Sequence, residues 1–266
     1  VQSHAGNGLT DAGGRSIQVD APFTRIISLY GAHTRNLKTL ELDDEIIGIC
    51  PMDKWADKPI FSYHDGLEKF LAARPDLVLI RPMIDRAYAA LVKGMERAGI
   101  VVVSLQPGNV DEMFDYWLAL GTLTGRIDQA RQMIASFKDE IAVISAVTRA
   151  IPDKKQVYFE AIHSRMKTFT PGSMAIFALE TAGGVNLAKD APSVRGTNIA
   201  FYGKERILSH AHEIDVYLAQ KGAMNQPTIK MIKDEPGFDV IRAVKENQIF
   251  IVDETIVSRP TMDLLK

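Results

Sequence analysis

From Val110 to about Ala150, apolar residues recur at three- and four-residue steps almost without interruption: Met113, Trp117, Leu120 and Leu123, then Ile134, Phe137, Ile141 and Ile144. That spacing is the period of an amphipathic helix. If continuous, about 40 residues at roughly 1.5 Å each would run about 60 Å, the length of a whole protein of this size. Gly121 and Gly125 allow a bend, and one near Thr124-Gly-Arg126 would make two helices, with Asp128 able to start the second. Either way the stretch reads as a strut joining two lobes.

The flanking sequence alternates short β-branched runs with amphipathic stretches, the pattern of an α/β fold with mainly parallel strands. Before the strut, strands are predicted at Ser16–Val19, Arg25–Leu29, Ile46–Ile49, Leu77–Ile80 and Val101–Leu105, with helices at Thr34–Leu42, Leu67–Ala73 and Ala87–Ala98. After Pro152, strands are predicted at Gln156–Glu160, Asp215–Ala219 and Ile249–Val252. The helices there are Ser173–Ala182, Lys204–His210 and Ile229–Glu246, the last broken at Pro236-Gly237. The expected organisation is an N-terminal lobe over 1–109, a connecting helix over 110–150 and a C-terminal lobe over 151–266. A weak internal repeat supports it. Gly66-Leu-Glu-Lys-Phe-Leu and Gly203-Lys-Glu-Arg-Ile-Leu each place a Glu on the first turn of a short helix, where the helix dipole favours it, and each is followed by an Asp that opens a buried strand.

Several functions are excluded or left without support. A net charge of -2 offers no electrostatic footprint for nucleic acid. No run of about 18 apolar residues is present to span a membrane. The single cysteine, Cys50, excludes an intrachain disulfide or a cysteine metal cluster and reads as a buried thiol. The polar start, Val1–Gly8, reads as a mature end or a cloning remnant rather than a signal peptide. No phosphate-cradling glycine loop, Gly-x-Ser-x-Gly elbow or His-Glu-x-x-His pair occurs, so no catalytic residue is nominated and no enzyme is expected. His210 and His212, two apart, cannot share a helical face and read as surface residues.

Arg25-Ile-Ile-Ser-Leu29, Asp44-Glu-Ile-Ile-Gly-Ile49 and Leu67-Glu-Lys-Phe-Leu-Ala-Ala-Arg-Pro-Asp-Leu-Val-Leu79 resemble the cobalamin/iron-siderophore, helical-backbone class (class III) of periplasmic binding proteins. So do Leu179–Leu187, Lys204–Leu208 and the tail Pro236–Asp253. Together these run in order from about residue 25 to 260. The resemblance implies two Rossmann-like lobes joined by a long backbone helix, with a ligand held between them and delivered to an ABC permease dimer with its ATPase subunits. It also implies a monomer at a periplasmic or other extracytoplasmic location, free or lipid-anchored. In that family a surface Glu on each lobe docks on permease arginines; the matching positions are Glu68 and Glu205. One departure is Gly31-Ala-His-Thr-Arg-Asn36, where Arg35 stands at a position usually held by Glu, so the family's ligand specificity is not carried over.

In open α/β sheets ligands bind beyond the carboxyl ends of strands. The loops there nominate Tyr30, His33 and Arg35, then Tyr63 and His64, then Arg81, and in the second lobe His163 and Arg165. Arg86, Arg195, Met52 and Trp55 are weaker candidates. Arginine forks suit carboxylates, catecholates and oxyanions. Tyr63, His64 and His163 could ligate a metal or stack on a macrocycle. No intrinsic cofactor is expected. The ligand ranks as a ferric siderophore-type chelate first, a corrinoid or haem next, and an oxyanion such as molybdate last. A chelatase-like enzyme, or a purely structural or sensory domain, is the competing reading.

Overall fold

The computed structural model describes residues 2–3, 8–53, 57–194 and 197–266. The chain forms two compact units, Val1–Pro107 with Asp111–Ser136, and Gly108–Val110 with Phe137–Lys266.

In the first unit, β1 (Gln2–Ser3), β2 (Gly8–Thr10) and β3 (Ser16–Gln18) form a small antiparallel meander. Ser16–Val19, expected among the parallel strands, thus belongs to this separate sheet. The main sheet holds β4 (Ile26–Ser28), β5 (Ile46–Ile49), β6 (Leu77–Ile80) and β7 (Val101–Ser104), all parallel, in the order β5-β4-β6-β7. The run Leu77-Val-Leu-Ile80 has no polar alternation because both of its faces are covered, and all four residues are fully buried. The connecting helices are α1 (Gly31–Thr39), α2 (Leu67–Ala73), α3 (Pro82–Ala87) and α4 (Ala89–Arg97). One face of the sheet packs Ile27, Val78, Ile80 and Val102 against Phe70 of α2 and Val92 and Met95 of α4. Tyr88, at φ -123 and ψ 37, separates α3 from α4, so the single helix predicted over Ala87–Ala98 starts earlier and in two pieces.

The expected strut is two helices of different character. α5 (Val110–Thr124) ends where Gly125 takes φ 69, a left-handed conformation that costs glycine little, and α6 (Ile127–Arg149) follows. A Cβ at Gly125 would lie 2.8 Å from Pro22 Cγ. Apart from its first residue, α5 is a core helix of the first unit: Met113, Trp117, Leu120 and Leu123 are fully buried. α6 passes from the first unit into the second at Phe137, and its later turns expose Val143 and Val147.

The second unit carries β8 (Gln156–Ile162), β9 (Lys167–Phe169), β10 (Val185–Asn186), β11 (Ile199–Phe201), β12 (Val216–Lys221) and β13 (Ile249–Asp253). The sheet order is β11-β9-β8-β12-β13, with β10 also pairing β8. Its helices are α7 (Met174–Thr181), α8 (Lys204–Ser209), α9 (Ile229–Asp234), α10 (Arg242–Lys245) and α11 (Glu254–Val257). β8 alternates: Val157, Phe159 and Ala161 pack with Ile176 and Leu179 of α7, while Tyr158 joins Tyr217, Ile207 and Phe238 in another cluster. The parallel strands β10, β8, β12 and β13 repeat the connectivity of β5, β4, β6 and β7, with the first strand between the second and third. The antiparallel pair β9 and β11 is an addition that the sequence pattern did not indicate.

The repeated Asp now has a common physical role. Asp76 accepts from the backbone N–H groups of Thr24 and Arg25 at 2.9 Å each, while its own N–H donates to Arg25 O. Asp215 accepts from Gln156 N–H at 2.9 Å, and its N–H donates to Gln156 O. Each aspartate therefore clamps the first strand to the third where both begin. In the first unit, α2 stops at Arg74 in the left-handed conformation (φ 49), and Pro75 cannot extend it, which leaves Asp76 at that clamp.

Because α5 is core, Trp117→Ala should cost about 3–5 kcal/mol, whereas Val147→Ala, at an exposed position of α6, should change stability by less than about 0.5 kcal/mol. Urea unfolding measures both, and equal losses would contradict the assignment of α5 to the core.

Candidate functional site

The switch in connectivity falls between β4 and β6 in the first unit, so the crevice lies beyond their carboxyl ends. Tyr30 and Arg81 stand there. Each is extended and precedes a helix, α1 for Tyr30 and α3 for Arg81, and Pro82 fits the first turn of α3 because that position needs no N–H partner. The Arg81 guanidinium carbon lies 4.5 Å from the centroid of the Tyr30 ring. Its Nε is buried without a hydrogen-bond partner, and among the described residues no carboxylate lies within salt-bridge distance of it. A guanidinium held on an aromatic face and lacking an anion is a receptor for one.

His33 does not face a ligand, contrary to expectation. It is fully buried under this pair. Ile80 O lies 3.0 Å from Nε2 and can only accept, so Nε2 carries the proton, and Nδ1 accepts from the Tyr116 hydroxyl at 2.7 Å. Burial, with the charge of Arg81 nearby, pushes the imidazole down to about 3. His33 thus ties α1 to the end of β6 and to α5 as a neutral positioning residue. Arg35, on the next stretch of α1, is exposed.

After β5, Tyr63 and His64 have ring centroids 4.5 Å apart, and Tyr88 completes the cluster. Tyr88 Oη lies 3.2 Å from His64 Nδ1. Tyr88 was invisible in sequence because it was read inside a helix, not at the break between two. Met52 and Arg86 are exposed; Trp55 and Arg195 lie outside the described residues. Cys50 is a buried thiol, with Sγ 3.4 Å from Asp53 Oδ2. Among the described residues no three His, Cys, Asp or Glu side chains converge as metal ligands.

In the second unit the equivalent switch point lies beyond β8 and β12. His163 is there, but its side chain is only 8% exposed and is engaged. Nδ1 lies 2.7 Å from Glu160 Oε2, and Nε2 lies 3.7 Å from Glu235, which itself pairs with Lys204. The hydrogen bond to Glu160 is the largest influence raising the pKa of this imidazole, against its burial. The Tyr217 hydroxyl also donates to Glu160 Oε2, at 2.5 Å, and Asn225 Nδ2 approaches the other oxygen at 3.3 Å. His163 therefore offers no vacant Nδ1 to a metal. Arg165 follows on the same 3-10 turn and is exposed. Glu160, Tyr217 and Asn225 were not singled out from sequence; a carboxylate closing the apolar run Gln156–Glu160 was the available signal.

Glu68 and Glu205 are both exposed, each in the first turn of its helix. α2 leads into β6 and α8 into β12, and such crossover helices run antiparallel to their strands. Each glutamate thus lies at the same end of its sheet as the switch point. A pocket of about 370 Å³ lined by Val19, Asp20, Pro22, Gly121 and Arg131 lies at the other end of β4, against the α5–α6 junction, and takes no part in the site.

The titration of His33 has a defined consequence. Between its ordinary value of 6.5 and about 3, the unfolded chain binds a proton that the folded chain does not. Stability should therefore fall on acidification through that window, by up to about 1.4 kcal/mol per pH unit from this group, with no contribution above it. Urea unfolding across the window should give a shallower pH slope for His33→Gln than for the wild type; parallel slopes would contradict the assignment.

Residues 26–255 match the periplasmic binding protein family. An uncharacterized ABC transporter substrate-binding lipoprotein of Bacillus subtilis, YvrC, is 22% identical over 261 residues, covering 94% of this chain and 79% of its own. Among solved structures, a possible iron-binding (periplasmic solute-binding) protein of Staphylococcus epidermidis shares 26% identity at a TM-score of 0.77, with 92% of this chain and 97% of that one covered. The periplasmic haem-binding protein HutB of Vibrio cholerae has a TM-score of 0.77 at 14% identity, with 91% and 95% covered, a likeness of fold. The family match begins at the first residue of β4 and takes in Tyr30, Arg81, His163 and Asn225, in agreement with the resemblance read from the sequence: the chain belongs to the periplasmic binding protein family, whose members bind a solute rather than transform it.

Proposed function

We propose that this protein is the extracytoplasmic solute-binding component of an ABC importer and that its solute is an anionic metal chelate of the ferric siderophore type. The observation that carries the reading is Arg81, a guanidinium stacked on Tyr30 with its Nε buried and unpartnered. The fork supplies planar donors for carboxylate or catecholate oxygens, and the aromatic face supplies apolar contact for an organic periphery. A bare oxyanion would use the fork but not the ring. Haem is the second reading, favoured by the Tyr63, His64 and Tyr88 cluster, which presents phenol and imidazole groups side by side. Glu68 and Glu205 are read as the docking points for the permease, one on each unit.

Thermal-shift measurements with ferric catecholate and hydroxamate chelates, haem, cobinamide and molybdate test the cargo. A ligand at a hundred times its Kd should stabilise the fold by about 2.7 kcal/mol. Stabilisation by a ferric chelate is expected, and stabilisation by none of the five would overturn the proposal. Arg81→Ala should weaken chelate binding by roughly 1.5–3 kcal/mol, the range for hydrogen bonds to a charged group. Glu68→Lys with Glu205→Lys should leave ligand affinity unchanged and abolish uptake in cells; normal uptake would remove the docking roles.

A further inference from the structure

We propose that His163 is a proton-operated clasp: as an imidazolium it ties the end of β8 to the bend after α9, and as a neutral imidazole it lets that bend go. Every group involved lies in the second unit, and the device does not depend on which solute the protein carries.

Two carboxylates face the one ring. Nδ1 lies 2.7 Å from Glu160 Oε2, and Nε2 lies 3.7 Å from Glu235 Oε2. A carboxylate only accepts, and Glu160 takes the Tyr217 hydroxyl and the Asn225 amide as well, so Nδ1 carries a proton toward it. A neutral imidazole has a single such proton. With that proton on Nδ1, Nε2 would turn a lone pair toward the Glu235 carboxylate. A second proton gives Nε2 an N–H and the ring a positive charge. Only the imidazolium therefore satisfies both partners. At 3.7 Å the Glu235 contact is longer than a hydrogen bond, so it depends on the charge of the ring.

The two sides of the clasp are unequally fixed. The His163 backbone N–H donates to Asn225 Oδ1 at 3.0 Å whatever the state of the ring, and Asn225 donates in turn to Gln220 O at 2.9 Å. Glu235 is half-buried and precedes the exposed Pro236 and Gly237, where the chain bends with Gly237 at φ 86. The other Glu235 oxygen lies 2.6 Å from Lys204 Nζ of α8. Beyond the bend Phe238 is fully buried, and its N–H donates to Glu235 O at 2.9 Å. Loss of the imidazolium leaves the bend with Lys204 and the packing of Phe238, and removes its polar tie to β8.

Among the described residues, the charged and titratable groups at the ring or at its Glu160 partner come from four elements. They are Glu160 of β8, Tyr217 of β12, Glu235 of the bend and Lys204 of α8. The Gly222–Asn225 turn offers the neutral Asn225 amide, and the segment after the bend offers the uncharged Phe238 ring, 6.5 Å away and edge-on. Arg165, on the same 3-10 turn as His163, is exposed. The hydrogen bond to Glu160 leads the influences on the ring and outweighs its burial; the charges of Glu160 and Glu235 add to it, and that of Lys204 opposes it. His163 thus keeps its proton above the ordinary histidine value of 6.5. The clasp is closed below that value and opens as pH rises through the raised one.

The test is NMR on the full chain, labelled with ¹³C and ¹⁵N and free of ligand, across about pH 5 to 9. The His163 ring should carry protons on both nitrogens past the ordinary histidine value and then lose one. Amide hydrogen exchange, corrected for its intrinsic pH dependence, should show the protection of Phe238 N–H falling by about two- to fivefold across that titration. Glu235→Gln should lower the His163 titration by roughly half a pH unit and flatten the change in protection, whereas Lys204→Met should raise the titration. A residue that only packs would not be displaced in opposite directions by its two neighbours. If Glu235→Gln fails to fold, the wild-type titration and Lys204→Met still decide. A His163 titration unmoved by the substitutions, or a Phe238 protection that does not follow it, would overturn the inference.

Discussion

The aspartate clamp at the base of each central strand pair is the constraint on which the rest depends. Asp76 joins β4 to β6 through the N–H groups of Thr24 and Arg25, just ahead of β4, and Asp215 joins β8 to β12 through that of Gln156, the first residue of β8. Hydrogen bonds to a charged acceptor contribute about 1.5–3 kcal/mol each. Their larger effect is on register. A slip of one residue would turn every side chain to the opposite face, and Ile80, now core, would exchange places with a residue meant for the other side. Arg81 would then leave Tyr30. The clamps and the candidate contacts sit at opposite ends of the same short strands, so the geometry of the mouth is set at the base.

His33 shows how the fold holds charge at the first mouth without neutralising it. A carboxylate beneath Arg81 would pair with it and fill the site from within. A neutral imidazole instead satisfies Ile80 O and Tyr116 while leaving the guanidinium unpaired. The arrangement is self-consistent, because the charge of Arg81 is one of the influences that keeps His33 neutral. The cost is exposure to acid, since the unfolded chain takes up the proton that the folded chain refuses.

The elements that sequence disclosed best were those with one dominant cause. Leu77–Ile80 is apolar on every residue because it is covered on both sides, and Leu67–Ala73 is bounded by Gly66 and Arg74-Pro75, so both segments were read with their observed ends. The bend near Thr124-Gly-Arg126 was readable, but helical period alone does not say what each half packs against. Trp117 and Leu120 fill one unit, whereas Val143 and Val147 at the same spacing are exposed. The candidate site was legible only as position. Chain order placed Tyr30 and Arg81 at strand ends, and placed His33 and His163 there as well. Which imidazoles were buried depended on Tyr116 and Glu160, distant in sequence or hidden in a strand run.

The two buried histidines also give the units opposite responses to pH. His33 has a lowered pKa, so its titration contributes nothing above its ordinary value and opposes folding on acidification below it. His163 has a raised pKa because Glu160 favours the imidazolium, so its contribution is fully present below the ordinary histidine value and is lost as pH rises through the raised one. The Tyr217 hydroxyl and Asn225 amide add donors to the same carboxylate, so Glu160 does not depend on His163 alone for hydrogen bonds. Acid therefore acts against the first unit, where Arg81 stands on Tyr30, while the second keeps the network of His163, Tyr217 and Asn225 around Glu160. Of the two mouths, the one where Arg81 stacks on the half-buried Tyr30 rests on the acid-sensitive support.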